Sequence, residues 1–218
     1  MAMPPVFHNY DVVLDCFVFD VSGSMEEPSF QKDTIRLQTV MGAGKRYLDA
    51  KRESRPRDCV ALVAYSSDVS VMCGFEEVQS QYQMLASAIW QMQFLPHGGT
   101  DMSLGLQAAI KLFHEHGGDD FYTRRYKGNR VLRRVIAYSD GHDQNTHAGL
   151  ELAKTLKGEK ILIETFGIAP SPKDVDEKFL KAIATTDEQG CHYRFLGDTE
   201  TVYNTFQHMA SGTLLYTE

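Results

Sequence analysis

DCFVFDVSGSM, residues 15–25, runs from four apolar residues, Cys16 to Phe19, into Asp20 and then into two serines framing Gly23. A short buried strand ending in carboxylate and hydroxyl groups can feed a turn, cap a helix, present a nucleophile or hold a metal ion. What surrounds it along the chain decides among these.

Short apolar runs alternate with longer helical patterns from end to end, the pattern of a βα-type fold with a mainly parallel sheet. The spacing predicts strands near residues 12–19, 60–65, 69–75, 131–138, 161–167 and 192–196. Helical spacing falls near 33–50, 81–92, 102–116, 146–156, 175–185 and 200–210. One connection breaks the alternation: AYSSDVSV, residues 64–71, reads as a hairpin, so the strand after it is antiparallel and at an edge. No repeat, low-complexity tract or linker divides the sequence, and we expect one domain over residues 1–218. The segment GGDDFYTRRYKGN, residues 117–129, is expected as a surface loop.

Composition narrows the function. Acidic residues outnumber basic ones, 29 to 22, for a formal charge of −7, which works against binding a phosphate backbone. No run of apolar residues is long enough to span a bilayer, and no leader pattern is present. The expectation is therefore a cytoplasmic protein that engages neither nucleic acid nor membrane. Cys16, Cys59, Cys73 and Cys191 lack CxxC spacing and read as reduced thiols, with Cys16 and Cys59 in the core.

Ligands of open α/β sheets collect at the carboxyl ends of the parallel strands, and three polar clusters fall there. They are Asp20, Ser22 and Ser24; PHGGTD at 96–101; and YSDGHD at 138–143. Two carboxylates and three hydroxyls with no nearby thiol make an oxygen site for a hard cation such as Mg²⁺, with Mn²⁺ or Ca²⁺ as alternatives, and disfavour zinc. In an extended segment residues two apart face one way, which would align Asp20, Ser22 and Ser24, and Gly23 would permit a sharp turn. With few anionic ligands, the ion would keep an open position for an outside carboxylate.

These residues resemble the von Willebrand factor A domain, also seen as the integrin I domain. Its metal-ion-dependent adhesion site follows the order DxSxS, threonine, aspartate, matched here by Asp20, Ser22, Ser24, Thr100 and Asp140. The resemblance covers residues 10–209 and implies a Rossmann-like three-layer sandwich: a central, mainly parallel six-stranded sheet with one antiparallel edge strand and helices on both faces. It further implies that Ser22, Ser24 and, in the binding-competent arrangement, Thr100 ligate the metal directly, while Asp20 and Asp140 act partly through water. A partner's Asp or Glu completes the coordination, and a shift of the last helix can couple to affinity. The length resembles small stand-alone bacterial members, including the tellurite-resistance type, which occur beside kinases, phosphatases, ATPases or proteases.

The implied function is a non-enzymatic adaptor, with Glu26, His97 and His142 as flanking partner contacts. A Mg²⁺-dependent phosphohydrolase is the alternative, since Asp20 at a strand end suits phosphoryl transfer, but Ser22 stands where a second aspartate would be needed. A serine hydrolase is weaker, because no GxSxG is present. Plainer roles compete locally: Thr100 can cap the helix that follows, and His97 and His142 can be solvated loop residues. GAGKR at 42–46 fails the phosphate-loop pattern and falls in a helix, whereas Met84, Leu85, Ala88, Ile89 and Met92 form a core stripe with Trp90 at its flank. Tracing element directions gathers Lys51, Arg52, Arg55, Arg57, Arg124, Arg125, Lys127, Arg130, Arg133, Arg134, Lys157 and Lys160 at the pole away from the metal. That pole would be a second docking surface with Phe121, Tyr122 and Tyr126 as anchors, or ordinary solvated charge.

Overall fold

The structure, a computed structural model, describes residues 10–28, 30, 34–95, 98–117, 126, 129–140 and 142–212. In chain order the elements are β1 (Val12–Asp20), α1 (Arg36–Ser54), β2 (Cys59–Tyr65), β3 (Val69–Glu77), α2 (Val78–Gln91), α3 (Met102–Gly117) and β4 (Val131–Ser139). There follow α4 (Thr146–Gly158), β5 (Leu162–Ile168), α5 (Glu177–Ile183), β6 (Thr186–Asp187), β7 (Gly190–Cys191), β8 (Tyr193–Leu196) and α6 (Thr199–Ser211). Each of the six expected strands forms, lengthened or trimmed by a residue or two. The two-residue ribbon β6–β7 is too short to leave a periodic signal.

The main sheet has the order β3-β2-β1-β4-β5-β8. All neighbours are parallel except β2 and β3. Strands β1 and β2 are buried along their whole length, which is why they read as continuous apolar runs. The edge strand β3 is half exposed, and the Ser66 N–H donates to the Asp68 carbonyl across the turn that leads into it (2.8 Å). Helices α1, α2 and α6 cover one face around Phe17, Phe19, Tyr138, Phe166 and Phe206. Helices α3, α4 and α5 cover the other around Cys16, Val18, Val63 and Val135.

The GAGKR segment lies inside α1, as expected. A Cβ on Gly42 would stand 3.0 Å from the Tyr203 hydroxyl of α6, and one on Gly44 3.3 Å from Phe19. These glycines let α1 approach its neighbours. In α2, Leu85, Ala88 and Ile89 are buried, with Met92 buried just beyond the helix. Met84 instead is 40% exposed and Trp90 45%, because the buried stripe runs through positions 85, 88, 89 and 92, one residue on from Met84.

Two residues of the expected basic pole are internal, while Arg52, Arg57, Arg130 and Lys160 are exposed and Arg55, Arg133 and Lys157 are half-buried. Lys51 and Arg134 are buried in an ionic network on the α1 side of the sheet. Arg134 Nε donates to Asp15 Oδ1 (2.7 Å), its Nη1 to both Glu164 oxygens (3.0 and 3.2 Å) and its Nη2 to the Tyr47 hydroxyl (2.9 Å). Lys51 pairs with Asp15 (3.0 Å) and with Asp58, which also holds Arg55. Burial alone would raise the Asp15 carboxyl, but the charges of Arg134 and Lys51 overcome it and hold the group at about 2. Buried charges persist only when paired in this way. Tyr126, expected as a surface anchor, is 6% exposed, its hydroxyl against Cys59 Sγ. Phe121, Tyr122, Arg124, Arg125 and Lys127 lie outside the described residues. Cys16 and Cys59 are buried, as expected, and neither forms a disulfide among the described residues. Among the described residues no helix is long and apolar enough to cross a membrane.

Candidate metal centre

The strand order creates a crevice at one place. From β1 the chain goes to β2 on one side and returns, by way of β3, α2 and α3, to β4 on the other. Loops leaving the carboxyl ends of β1 and β4 therefore diverge, the geometry in which open α/β sheets bind ligands. Asp20 is the last residue of β1, and Asp140 directly follows β4.

Both carboxylates are buried. Asp20 Oδ1 accepts from the Ser22 N–H (2.8 Å), and Oδ2 accepts from Ser139 Oγ (2.6 Å) and, more distantly, the Tyr65 hydroxyl (3.4 Å). Burial raises the Asp20 carboxyl to about 6, against the lowering effect of the bonds from Ser139 and Ser22. Ser22 Oγ and Ser24 Oγ lie 3.1 Å apart. Their adjacency does not come from an extended segment, because residues 23–26 form a 3-10 turn. Gly23 has no left-handed backbone, and a Cβ there would meet only the Gly98 carbonyl at an ordinary 3.8 Å. The turn itself does not require the glycine.

Three backbone bonds lock the remaining loops to this turn. The Gly23 N–H donates to the Gly98 carbonyl (3.0 Å), the Asp101 N–H to the Ser66 carbonyl (3.1 Å) and the Gln144 N–H to the Thr100 carbonyl (2.8 Å). Thr100, itself buried, is thus held against both the β1 and β4 loops. It need not cap α3: Asp101 Oδ1 accepts from the Ser103 N–H (3.1 Å), and Asp143 Oδ2 accepts from the Met102 N–H (2.5 Å).

Asp140 Oδ1 receives a long bond from the His142 N–H (3.4 Å). Among the described residues its buried Oδ2 has no hydrogen-bond partner, and the Arg36 guanidinium stands 3.5 Å away as an ion pair. A buried carboxylate oxygen without a donor carries a desolvation cost that a cation offsets. That oxygen, together with the paired serine hydroxyls of the β1 loop, fits the hard divalent ion implied by the resemblance. No group of three or more His, Cys, Asp or Glu able to hold a metal occurs among the described residues, so hydroxyls would have to supply much of the coordination.

Of the expected flanking contacts, Glu26 is exposed in the 3-10 turn. His142 is exposed, with its Nε2–H donating to the Asp174 carbonyl (3.1 Å), and His97 lies outside the described residues. Sequence reasoning missed three residues here. Ser139 and Tyr65, each ending its strand, had a signal in their position beside the polar clusters. Arg36 had none, since its approach to Asp140 is purely tertiary.

The model of the von Willebrand factor type A domain matches residues 16–208. Among solved structures, the chain is similar to BatB from Bacteroides thetaiotaomicron (TM-score 0.67, 16% identity, 92% of this chain and 98% of that one). It is also similar to the pilus adhesin SpaC from Lactobacillus rhamnosus GG (0.69, 16%, 91% and 30%) and to the manganese-loaded TRAP protein of Plasmodium vivax (0.62, 20%, 89% and 72%). The chain spans nearly all of BatB but under a third of the adhesin.

Proposed function

Because this chain belongs to the von Willebrand factor type A domain family, whose members are typically metal-dependent interaction or adhesion modules, we propose that it captures a partner protein's Asp or Glu carboxylate through a divalent cation. Asp20, Ser22, Ser24, Thr100 and Asp140 would hold the ion, Mg²⁺ in the first place with Mn²⁺ or Ca²⁺ as substitutes. The observation that carries this reading is the buried Oδ2 of Asp140, without a hydrogen-bond partner among the described residues, linked through Arg36 to the turn that holds the Ser22–Ser24 hydroxyl pair. TRAP, a structural neighbour, was solved manganese-loaded, which supports a divalent ion at this kind of site.

When bound, the cation supplies an electrophilic position for an incoming carboxylate. The chain's own residues do the remainder. Ser139 and the Ser22 N–H fix Asp20 in one rotamer, and the Gly98, Ser66 and Thr100 carbonyls tie the loops into one rim. The same bonds argue against the phosphohydrolase alternative, since both Asp20 oxygens are engaged and the group is buried, a poor presentation for a nucleophile. We place the protein in the cytoplasm as an adaptor of a bacterial multiprotein system, with a kinase, phosphatase, ATPase or protease as the class of partner.

Calorimetric titration with Mg²⁺ and Mn²⁺ tests the site. Asp20→Ala should weaken binding by at least about tenfold, roughly 1.4 kcal/mol, without unfolding the protein. Equal affinity in the two proteins would overturn the assignment.

A further inference from the structure

We propose that Arg36 is a built-in counter-cation of the metal centre, a positioning residue that neutralises Asp140 and sets how strongly the site takes a divalent ion, with Glu27 as its retainer. The inference rests on the cation site proposed above.

Arg36 opens α1 and is buried, with only 7% of its side chain exposed. A guanidinium keeps its charge at every relevant pH, so its burial requires anions or carbonyls close by. It has both. Nη2 reaches Glu27 Oε2 at 2.9 Å, while Nη1 reaches the Ser24 carbonyl at 3.3 Å and Asp140 Oδ2 at 3.5 Å. The Arg36 N–H also donates to the Glu27 carbonyl (3.1 Å), fixing the start of the helix against the 3-10 turn that carries Ser24.

The two carboxylates are not held equally. Glu27, whose side chain is 61% exposed, has the short contact, and buried Asp140 has the long one with no hydrogen bond. Glu27 thus restrains the guanidinium short of a seated, bidentate pair with Asp140, which would be the stronger geometry. Asp140 keeps an oxygen open to another cation while its charge stays compensated without one.

Two opposing effects follow. The fixed positive charge repels an arriving divalent ion and lowers affinity, and Glu27, by holding that charge aside, raises it. The centre is tuned toward weaker cation binding, leaving the ion less neutralised by the protein and more receptive to an outside carboxylate.

The test is Mn²⁺ titration of the full chain, followed by electron paramagnetic resonance of the free ion. Arg36→Gln should tighten Mn²⁺ binding about tenfold and Glu27→Gln should weaken it about threefold, as expected for unit charges at the rim of a partly solvated site. In the Arg36→Gln background the Glu27→Gln effect should fall to less than half, since its main action is through the guanidinium. Unchanged or weaker binding in Arg36→Gln, or a Glu27→Gln effect undiminished by it, overturns the proposal. If Arg36→Gln does not fold, Glu27→Gln at its exposed position decides alone, and unchanged or tighter binding there refutes it. Failure of every variant, wild type included, to bind Mn²⁺ would refute the cation site along with this inference. Wild-type binding with the wrong ranking would refute the inference only.

Discussion

Replacing Arg134 by methionine removes the centre of the buried ionic network while keeping much of its volume. Glu164 would lose the guanidinium that both its oxygens accept from, and among the described residues Asp15 would retain Lys51 and the Tyr47 hydroxyl. Breaking a buried pair by deleting one partner costs about 3–5 kcal/mol, because the other charge stays desolvated. For a chain of this size that lowers the melting temperature by on the order of 10 °C. Adding Glu164→Gln to Arg134→Met should recover about 1–2 kcal/mol, since a neutral amide no longer needs a cation. Urea unfolding followed by circular dichroism, in EDTA at neutral pH, measures both variants. A loss under about 1 kcal/mol in the single variant, or a double variant that is simply additive, would refute the view that these charges depend on one another.

Acid should act through the same network. Asp15 is held at about 2 against an ordinary 3.8, so its ionised form is favoured by folding and contributes about 2 kcal/mol above pH 4. That contribution is lost as pH falls from 4 through 2, and urea midpoints across this window should drop less steeply in Asp15→Asn than in wild type. Gly105→Ala places a Cβ within 2.5 Å of Val18 Cγ1 and should destabilise by about 1–3 kcal/mol through overpacking, read by thermal unfolding. Leu85→Ala should cost about 2–5 kcal/mol and the neighbouring, half-exposed Met84→Gln less than about 0.5 kcal/mol; equal effects would contradict the α2 packing.

The strands were legible because sheets covered on both faces demand continuous apolar runs, and β1, β2 and β4 supply them. The candidate site positions stood out because Asp20 ends the β1 run and Asp140 directly follows the β4 run, whereas Thr100 lies in the loop before α3. Charge was misjudged for the same reason that strands were easy: Asp15 and Glu164 are single charged residues inside strand runs, and Arg134, the second of the adjacent Arg133 and Arg134, turns with them to the inward side facing α1. Read by alternation along β1, β4 and β5 they are core positions, and Arg134 and Lys51 belong there rather than on a basic surface. Arg36 was illegible in principle, since nothing local marks an arginine at a helix start as a neighbour of a carboxylate 104 residues further along.

The most direct measurement of the central claim is recovery of bound proteins by wild type and Asp20→Ala, each in Mg²⁺ and in EDTA, read by mass spectrometry. Capture of a carboxylate through the cation predicts a partner retained only by wild type in Mg²⁺, and lost when the partner's own acidic contact residue is changed to its amide. The same partner recovered from all four samples would contradict it.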